Sequence, residues 1–315
     1  MKTFIKNVLI FISLYLGIIL LTELSTSSII NKYANFKLSS KPKYIILGHS
    51  HPECAFNDSL INNLKNLAQS GESYYYTYFK VKKILEQNPS IETIFIEYTN
   101  NQINSEMNDW IWDDKHLSNR YTFYSPFISL SNQFILIQNN KKGYLNSFSY
   151  SIKSKLPTII KRDYDYTNKI GGYLYLVRDK TDSLLKYSKS LNLKNDILTN
   201  NSNNISDNNL LYLKKTIQLI KNYNKNIFLI RSPQHQKYNG YVNESMYKNI
   251  LYNRFSDIEY LDFSSFPLSN SEFGDLEHLN HNGAKTFSIW FNKLIEKGLL
   301  FEPNKQEFIN ANIRE

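Results

Sequence analysis

Apolar and polar positions along this chain fall into two alternating periods. Residues 44–47 (Tyr-Ile-Ile-Leu) hold no charged position and stop at Gly48, as expected of a short buried strand. Residues 57–66 set Leu60, Ile61 and Leu64 at helical spacing after an Asn/Asp/Ser start, which predicts a short helix. Leu67-Ala68 reads as a very short strand, with Ser70-Gly71 as its exit turn. Residues 74–88 carry Tyr75, Tyr78, Phe79, Ile84 and Leu85 on an amphipathic helix that Pro89 ends. Residues 93–98 (Thr-Ile-Phe-Ile-Glu-Tyr) form a strong strand pattern that exits into Thr99-Asn100-Asn101. The rhythm resumes with helix 210–223, strand 227–231, helix 242–255 and strand 258–263. A last helix follows, with Ala284, Phe287, Trp290, Phe291, Leu294 and Ile295 inward. Such alternation predicts an α/β fold, a doubly wound parallel sheet of about five strands in a three-layer sandwich. Right-handed crossovers then bring the strand exits to one edge, where open α/β sheets bind their ligands.

Two stretches depart from this rhythm. Residues 102–204 lack repeated strand signals and hold Trp110, Trp112 and many tyrosines. They read as a long insertion, a lid or binding loop, with helices at 144–155 and 181–191 and a loop at 200–209. Its aromatic rings either stack on sugars or pack a small core of their own. At the other end, residues 1–24 start with Lys2 and Lys6 and continue as an apolar run from Val8 to Leu21. That is the pattern of an export segment, read here as an uncleaved signal anchor rather than a cleaved peptide. The lysines keep the start in the cytoplasm and put the remaining chain outside, in a single-pass, periplasmic arrangement. The expected organisation is an anchor at 1–24, a polar connector at 25–41, the α/β domain at 42–300 with its insertion at 102–204, and a tail at 301–315.

Composition adds little to this picture. The chain has 315 residues, 42% hydrophobic and 21% charged, which is ample for a folded core. Its net charge of +9 reads as compositional bias and a solvated surface, with a basic face toward an acidic glycan or an anionic membrane as the alternative. No basic run is interleaved with aromatics, so nucleic acid is not an expected partner. The single cysteine, Cys54, excludes an intrachain disulfide and a four-cysteine zinc site, and reads as a packing residue.

Chemistry concentrates at the strand exits. Gly48-His49-Ser50-His51 sets a hydroxyl between two imidazoles at the end of the first strand. Asp275 and His278 stand two residues apart before the last helix, so one tight turn lets the carboxylate orient the ring. A serine hydroxyl needs such a base to act as a nucleophile. Each of these residues also has a plain reading: Ser50 as a helix cap, His278 as a structural histidine at a helix start, Asn100 as a strand terminator. Arg231 and His235 lie at the exit of the fourth strand. Arg231 suits an anionic substrate or a structural acid, and His235 is a pocket candidate alongside His49, His51 and His281.

In blocks, the sequence resembles the SGNH/GDSL hydrolase superfamily. Gly48-His49-Ser50 stands where that family has Gly-Asp-Ser, Asn66 through Ser70-Gly71 resembles its second block, Thr99-Asn100-Asn101 its third, and Asp275-Leu276-Glu277-His278 its Asp-x-x-His. The resemblance implies that Ser50 is the nucleophile, His278 the base and Asp275 its orienter. It also implies an oxyanion hole of the Ser50 and Gly71 amides with the Asn100 side chain, and no cofactor. His49 in place of the aspartate, and the missing glycine in the third block, depart from the pattern. The anchor and the Gly-x-Ser-His variant are similar to membrane-anchored members of envelope polysaccharide O-acetylation and D-alanylation systems. The implied activity is that of an extracytoplasmic serine esterase or O-acyltransferase on acylated envelope glycan, working with a membrane acyltransferase partner. Two alternatives stand beside it: an inactive SGNH-like glycan-binding or scaffold protein, and a metal-dependent hydrolase using His49, His51, Asp275, His278 and His281.

Overall fold

The computed structural model describes residues 1–190 and 205–313. Five strands form one sheet: β1 (Tyr44–Leu47), β2 (Leu64–Asn66), β3 (Thr93–Glu97), β4 (Asn226–Arg231) and β5 (Glu259–Asp262). All neighbours pair in parallel, in the order β2-β1-β3-β4-β5. This is a common doubly wound order, and its direction of winding reverses between β1 and β3. The exits of those two strands carry Gly48-His49-Ser50 and Tyr98-Thr99-Asn100-Asn101, so the switch point falls at the candidate chemistry.

Alternate strand residues face opposite layers. Ile46, Phe95, Phe228 and Leu261 join one buried cluster with Phe287, Phe291 and Leu294 of the helix His281–Glu296. Phe56, at the end of the helix Ser50–Ala55, packs edge-on against Phe287 and Phe291 in that layer. On the other layer the helices Tyr74–Gln87 and Asp207–Asn222 pack together, Tyr75 lying 4.6 Å from Tyr212 between ring centroids. A fully buried Lys80–Glu72 pair ties the first of these helices to its own N-terminal turn, with Lys80 Nζ also donating to the Leu67 carbonyl.

The chain divides into two compact units. One holds residues 37–110 and 168–315, including the sheet. The other holds residues 1–36 and 111–167 and is helical. In the helical unit the 32-residue helix Lys2–Tyr33 is long and apolar enough to cross a membrane. Its buried Glu23 pairs with Lys155 and accepts from Ser151 at 3.0 Å, both on the helix Lys141–Lys161. Phe36, Phe127 and Tyr166 pack as a trio of rings.

Several sequence expectations change. The expected connector is helical as far as Tyr33, because its hydroxyls bond back into the helix and Glu23 finds a cation. The stretch 102–204 is not one insertion: 111–167 belongs with the N-terminal helix, while 102–110 and 168–190 stay with the sheet unit. Within it the helix Leu130–Asn139 was not visible in the pattern, and the expected 144–155 helix is part of Lys141–Lys161. The expected helix at 57–66 does not form. Asn57 caps one 3-10 turn, Asp58–Leu60, and Asn63 takes a positive φ of 58° that releases the chain into β2. The strand expected at Leu67-Ala68 therefore sits three residues earlier, and the expected tail forms the helix Lys305–Asn312 with Ile309 buried. Thr181–Ser190 is helical as expected, whereas Leu191 and residues 200–204 of the expected loop lie outside the described residues.

Candidate active site

The site begins where β1 stops. Gly48 has φ +150°, and a Cβ there would lie 2.5 Å from the Glu97 side chain, so the turn admits only glycine. Glu97, at the end of β3, grips this turn by accepting the His49 amide at 2.7 Å. His49 caps the helix Ser50–Ala55, its Nδ1 accepting the Ser50 amide at 2.8 Å. The helix end is held by Asn66, whose Nδ2 donates to the carbonyls of Pro52 and Phe56, both at 2.8 Å. Cys54 is buried in this helix and its thiol is pushed up to about 12, chiefly by burial, in keeping with a packing role.

The loop before the helix His281–Glu296 supplies the partners. His278 Nε2 lies 2.7 Å from Ser50 Oγ, and His278 Nδ1 lies 2.9 Å from Asp275 Oδ1. Since the carboxylate can only accept, Nδ1 carries the ring proton and Nε2 faces the serine hydroxyl as acceptor. Asp275 Oδ1 also accepts the amides of Glu277 and His278, each at 2.8 Å, and Oδ2 pairs with Arg178. Burial raises the Asp275 carboxyl, but the His278 contact, the backbone donors and Arg178 outweigh it and hold it far below the usual range. The loop is pinned to the β4 exit by the His235 amide, which donates to the Leu276 carbonyl at 3.2 Å.

Next to the serine lies a charged cluster, buried at His49, His51 and Glu97 and half-exposed at Glu277. His51 Nδ1 is 3.0 Å from Glu97 Oε1, and its Nε2 is 3.7 Å from Glu277 Oε2. Burial works against the His51 cation, yet the two carboxylates win and raise the ring to about 9. For His49 burial prevails over the nearby Glu97, and the ring falls to about 4. Its tautomer follows from its partners: Nδ1 accepts from the Ser50 amide, so Nε2 bears the proton and donates to Asn101 Oδ1 at 3.1 Å. Burial also opposes the Glu97 charge, and the two imidazoles reverse that, keeping its carboxyl below its ordinary value. Trp110 meets His49 edge-on at 5.7 Å.

The structure thus brings Ser50, His278 and Asp275 together, with His49 and His51 beside them. Other expected residues go elsewhere. The Ser50 amide, an expected oxyanion donor, is taken by His49. Asn100 is fully buried, with Nδ2 on Asn243 and Glu244 and Oδ1 accepting from Arg231 at 2.5 Å, so it cannot reach the serine. Asn101 is the residue of that block at the site, its Oδ1 taken by His49 and Thr99 and its Nδ2 without a hydrogen-bond partner among the described residues. Gly71 sits at φ +72° in the turn that Glu53 ties to the nucleophile's helix through the Ser70 amide at 2.9 Å. Arg231 is consumed by Glu244, Asn100 and Asp262 and by the faces of Tyr241 and Tyr247. His235 is bonded to Asn270 at 3.1 Å, and His281 stacks on Tyr175 at 4.5 Å.

The expected metal ligand set does not assemble, because His281 is stacked away and both nitrogens of His278 are engaged by Ser50 and Asp275. Two other trios, His49-His51-Glu97 and His51-Glu277-His278, each place their donor atoms within 4.8 Å of one another. In the first, His49 Nδ1 already accepts the Ser50 amide, and in the second both nitrogens of His278 are engaged by Ser50 and Asp275.

Glu97, Glu277, Arg178, Gln234 and Trp110 escaped the sequence reading as site residues. For Glu97 there was a signal, since it is the one charge in an otherwise apolar buried strand. Arg178, in an irregular segment remote in sequence, offered none.

In comparison with known proteins, a family model matches residues 119–300, more than half of the 315 residues. The matched span includes Asp275 and His278 and starts after Ser50. No curated protein matches the sequence.

Proposed function

The chain belongs to an uncharacterised family, so its chemistry has to be read from its own atoms, and we propose that it is a serine esterase or O-acyltransferase of the SGNH-like kind. Its substrate is an acylated glycan of the cell envelope. The helix Lys2–Tyr33 anchors it in the bacterial membrane with the site outside, where a membrane acyltransferase is its natural partner. The observation that carries this reading is the relay from Ser50 Oγ to His278 Nε2 at 2.7 Å, with Asp275 on the far ring nitrogen at 2.9 Å.

In this mechanism Ser50 Oγ attacks the acyl carbonyl carbon while its proton passes to His278 Nε2. The imidazolium is stabilised by Asp275, which stays ionised because its carboxyl is held so low. Collapse of the tetrahedral intermediate breaks the ester bond, and Nε2 returns the proton to the departing sugar oxygen. His278 then takes a proton from water, or from an acceptor hydroxyl, as that oxygen attacks the acyl-serine; collapse of this second intermediate breaks the bond to Ser50 Oγ, and Nε2 returns the proton to it. Hydrolysis and transfer differ only in that acceptor. The developing oxyanion has the Gly71 amide and Asn101 Nδ2 as donors, each worth about 3–4 kcal/mol when well placed. The Ser50 amide joins them once the His49 ring turns away.

The test is a serine-directed fluorophosphonate. Labelling of the wild-type chain that disappears in both Ser50→Ala and His278→Ala supports the reading; labelling that persists in Ser50→Ala sinks it. One observation favours a second reading, a catalytically silent glycan-binding or scaffold protein: the Ser50 amide is already occupied by His49. That reading expects glycan binding without any labelling.

A further inference from the structure

A cleft of about 500 Å³ opens beside the triad, within the same unit, between the exits of β4 and β5 and the segment that leads into Asp275. Its volume lies in the range of about 300–1,000 Å³ of ordinary small-molecule sites. Two lining residues connect it to the neighbourhood of the triad. Gln234 lines it and lies 3.2 Å from Nδ1 of His51, the neighbour of Ser50, and Phe273 lines it two residues before Asp275.

Among the described residues no lysine, arginine, aspartate or glutamate lines the cleft, although the chain as a whole carries a net charge of +9. The polar groups are mostly amides and hydroxyls, among them Gln234, Gln236, Ser264 and Ser265, with one imidazole, His235, bonded to Asn270, and Phe266 and Phe273 as apolar wall. Gln234 is 2% exposed and one end of its amide has no hydrogen-bond partner among the described residues, the other end being at His51. Buried amide ends are rarely left so. Whichever way that amide is turned, a ligand hydroxyl satisfies it, because a hydroxyl both donates and accepts. A carboxylate, sulfate or phosphate satisfies only a donor, and here would enter a cleft with no lysine or arginine among its described lining residues to offset its desolvation.

We infer that this cleft is the subsite for a neutral saccharide unit of the acyl-bearing glycan, and that it selects against anionic sugars. The inference rests on the esterase or acyltransferase reading for the word "acyl-bearing", but binding is testable without turnover.

The experiment uses the full chain in detergent, with Ser50→Ala to prevent reaction, and calorimetry with acetylated xylotriose and acetylated chitotriose as neutral probes and acetylated tri-galacturonate as the anionic one. The expected result is binding of a neutral probe about tenfold or more tighter than the anionic probe. Ser265→Trp, at an exposed position that tolerates the larger ring, fills the cleft and removes at least that tenfold. Gln236→Lys, also at an exposed position, narrows the discrimination by drawing in the anion. Equal binding of neutral and anionic probes, no binding of either neutral probe, or unchanged binding in Ser265→Trp overturns the inference. Fluorophosphonate labelling of the Ser50-containing chain is read separately. Absent labelling with intact neutral-probe binding defeats the esterase reading and leaves the saccharide site standing, while normal labelling with no discrimination defeats the saccharide site alone.

Discussion

The imidazole of His49 accepts the backbone N–H of Ser50 at 2.8 Å, so the nucleophile's own amide is held by the residue that precedes it. The ring also donates to Asn101 and sits against Trp110, which makes it a cap with a fixed orientation. An acyl oxygen that needs the Ser50 amide must first displace this ring.

Displacing one hydrogen bond costs about 1 kcal/mol, equivalent to about a fivefold loss in rate. His49→Ala should therefore raise the fluorophosphonate labelling rate of Ser50 by about that factor. It should also lower stability by about 1–3 kcal/mol through the lost cap and the cavity left behind. Stopped labelling and urea unfolding measure the two effects. A rate that drops by an order of magnitude would show instead that His49 serves the reaction as it stands.

The two partners of Asp275 should behave very differently. Asp275→Asn loses the acceptor that fixes the His278 tautomer and stabilises its cation, and ester turnover should drop by about 10³–10⁴-fold. Arg178 pairs with the same carboxylate, but its side chain is 42% exposed and the contact is screened by solvent. Arg178→Ala should cost less than about threefold, because the backbone amides of Glu277 and His278 still hold Asp275. Comparable losses in the two variants would assign Arg178 a direct role in substrate binding.

Much of this site was legible before any coordinates. Strands end in recognisable turns, and the Asp-x-x-His spacing leaves one tight turn as the compact solution, so Ser50, His278 and Asp275 could be matched from the alternation of elements. What stayed hidden has a common cause. Asn100 and Asn101 are identical in type and adjacent in the turn beyond β3, and only the Arg231–Glu244 pair, with Asn100 Oδ1 accepting from Arg231, decides which one faces inward to the core. Residues 57–66 carry a helical apolar pattern, yet β2 wins because Asn63 accepts a left-handed conformation and β1 offers an unpaired edge. The packing of 111–167 with the N-terminal helix depends on Glu23 meeting Lys155, a pairing between residues far apart that no local period reports.

Stability should peak near pH 6.5, between the shifts of the two neighbouring histidines. His51 titrates at about 9 in the folded chain, above the ordinary 6.5, so its stabilising contribution is complete below pH 6.5 and is lost as the pH rises to about 9. His49 titrates at about 4, below its ordinary value, so the unfolded chain takes up its proton first and stability falls from pH 6.5 down to about 4. Glu97, Glu277 and Asp275 are all held low and extend the acid loss further down. Urea midpoints at pH 5, 6.5 and 9.5 should trace this dome, and His51→Gln should flatten its alkaline side. An unchanged alkaline slope in that variant would mean that His51 is not the cation that pairs with Glu97.

Adjacent asparagines give the sharpest separation of catalysis from folding. Asn100 donates to Asn243 and Glu244 and accepts from Arg231, all within a buried cluster. Asn100→Ala strips partners from that cluster and should cost about 1–3 kcal/mol of stability with little change in kcat for the folded fraction. Asn101 instead offers an Nδ2 with no hydrogen-bond partner among the described residues, while its Oδ1 is held by His49 and Thr99. Asn101→Ala should lower kcat by about 10²-fold, the usual effect of removing one oxyanion donor, with KM for a small acetyl ester nearly unchanged. Because His49 Nε2 also loses its acceptor, the His49→Ala, Asn101→Ala double variant distinguishes the two ways this can happen. A loss that persists in the double variant belongs to the missing donor, whereas a loss that vanishes there belongs to a misplaced His49 ring. The reverse pattern, with Asn100→Ala slow and stable and Asn101→Ala fully active, would return the oxyanion role to Asn100 and require the buried Arg231 cluster to open during turnover.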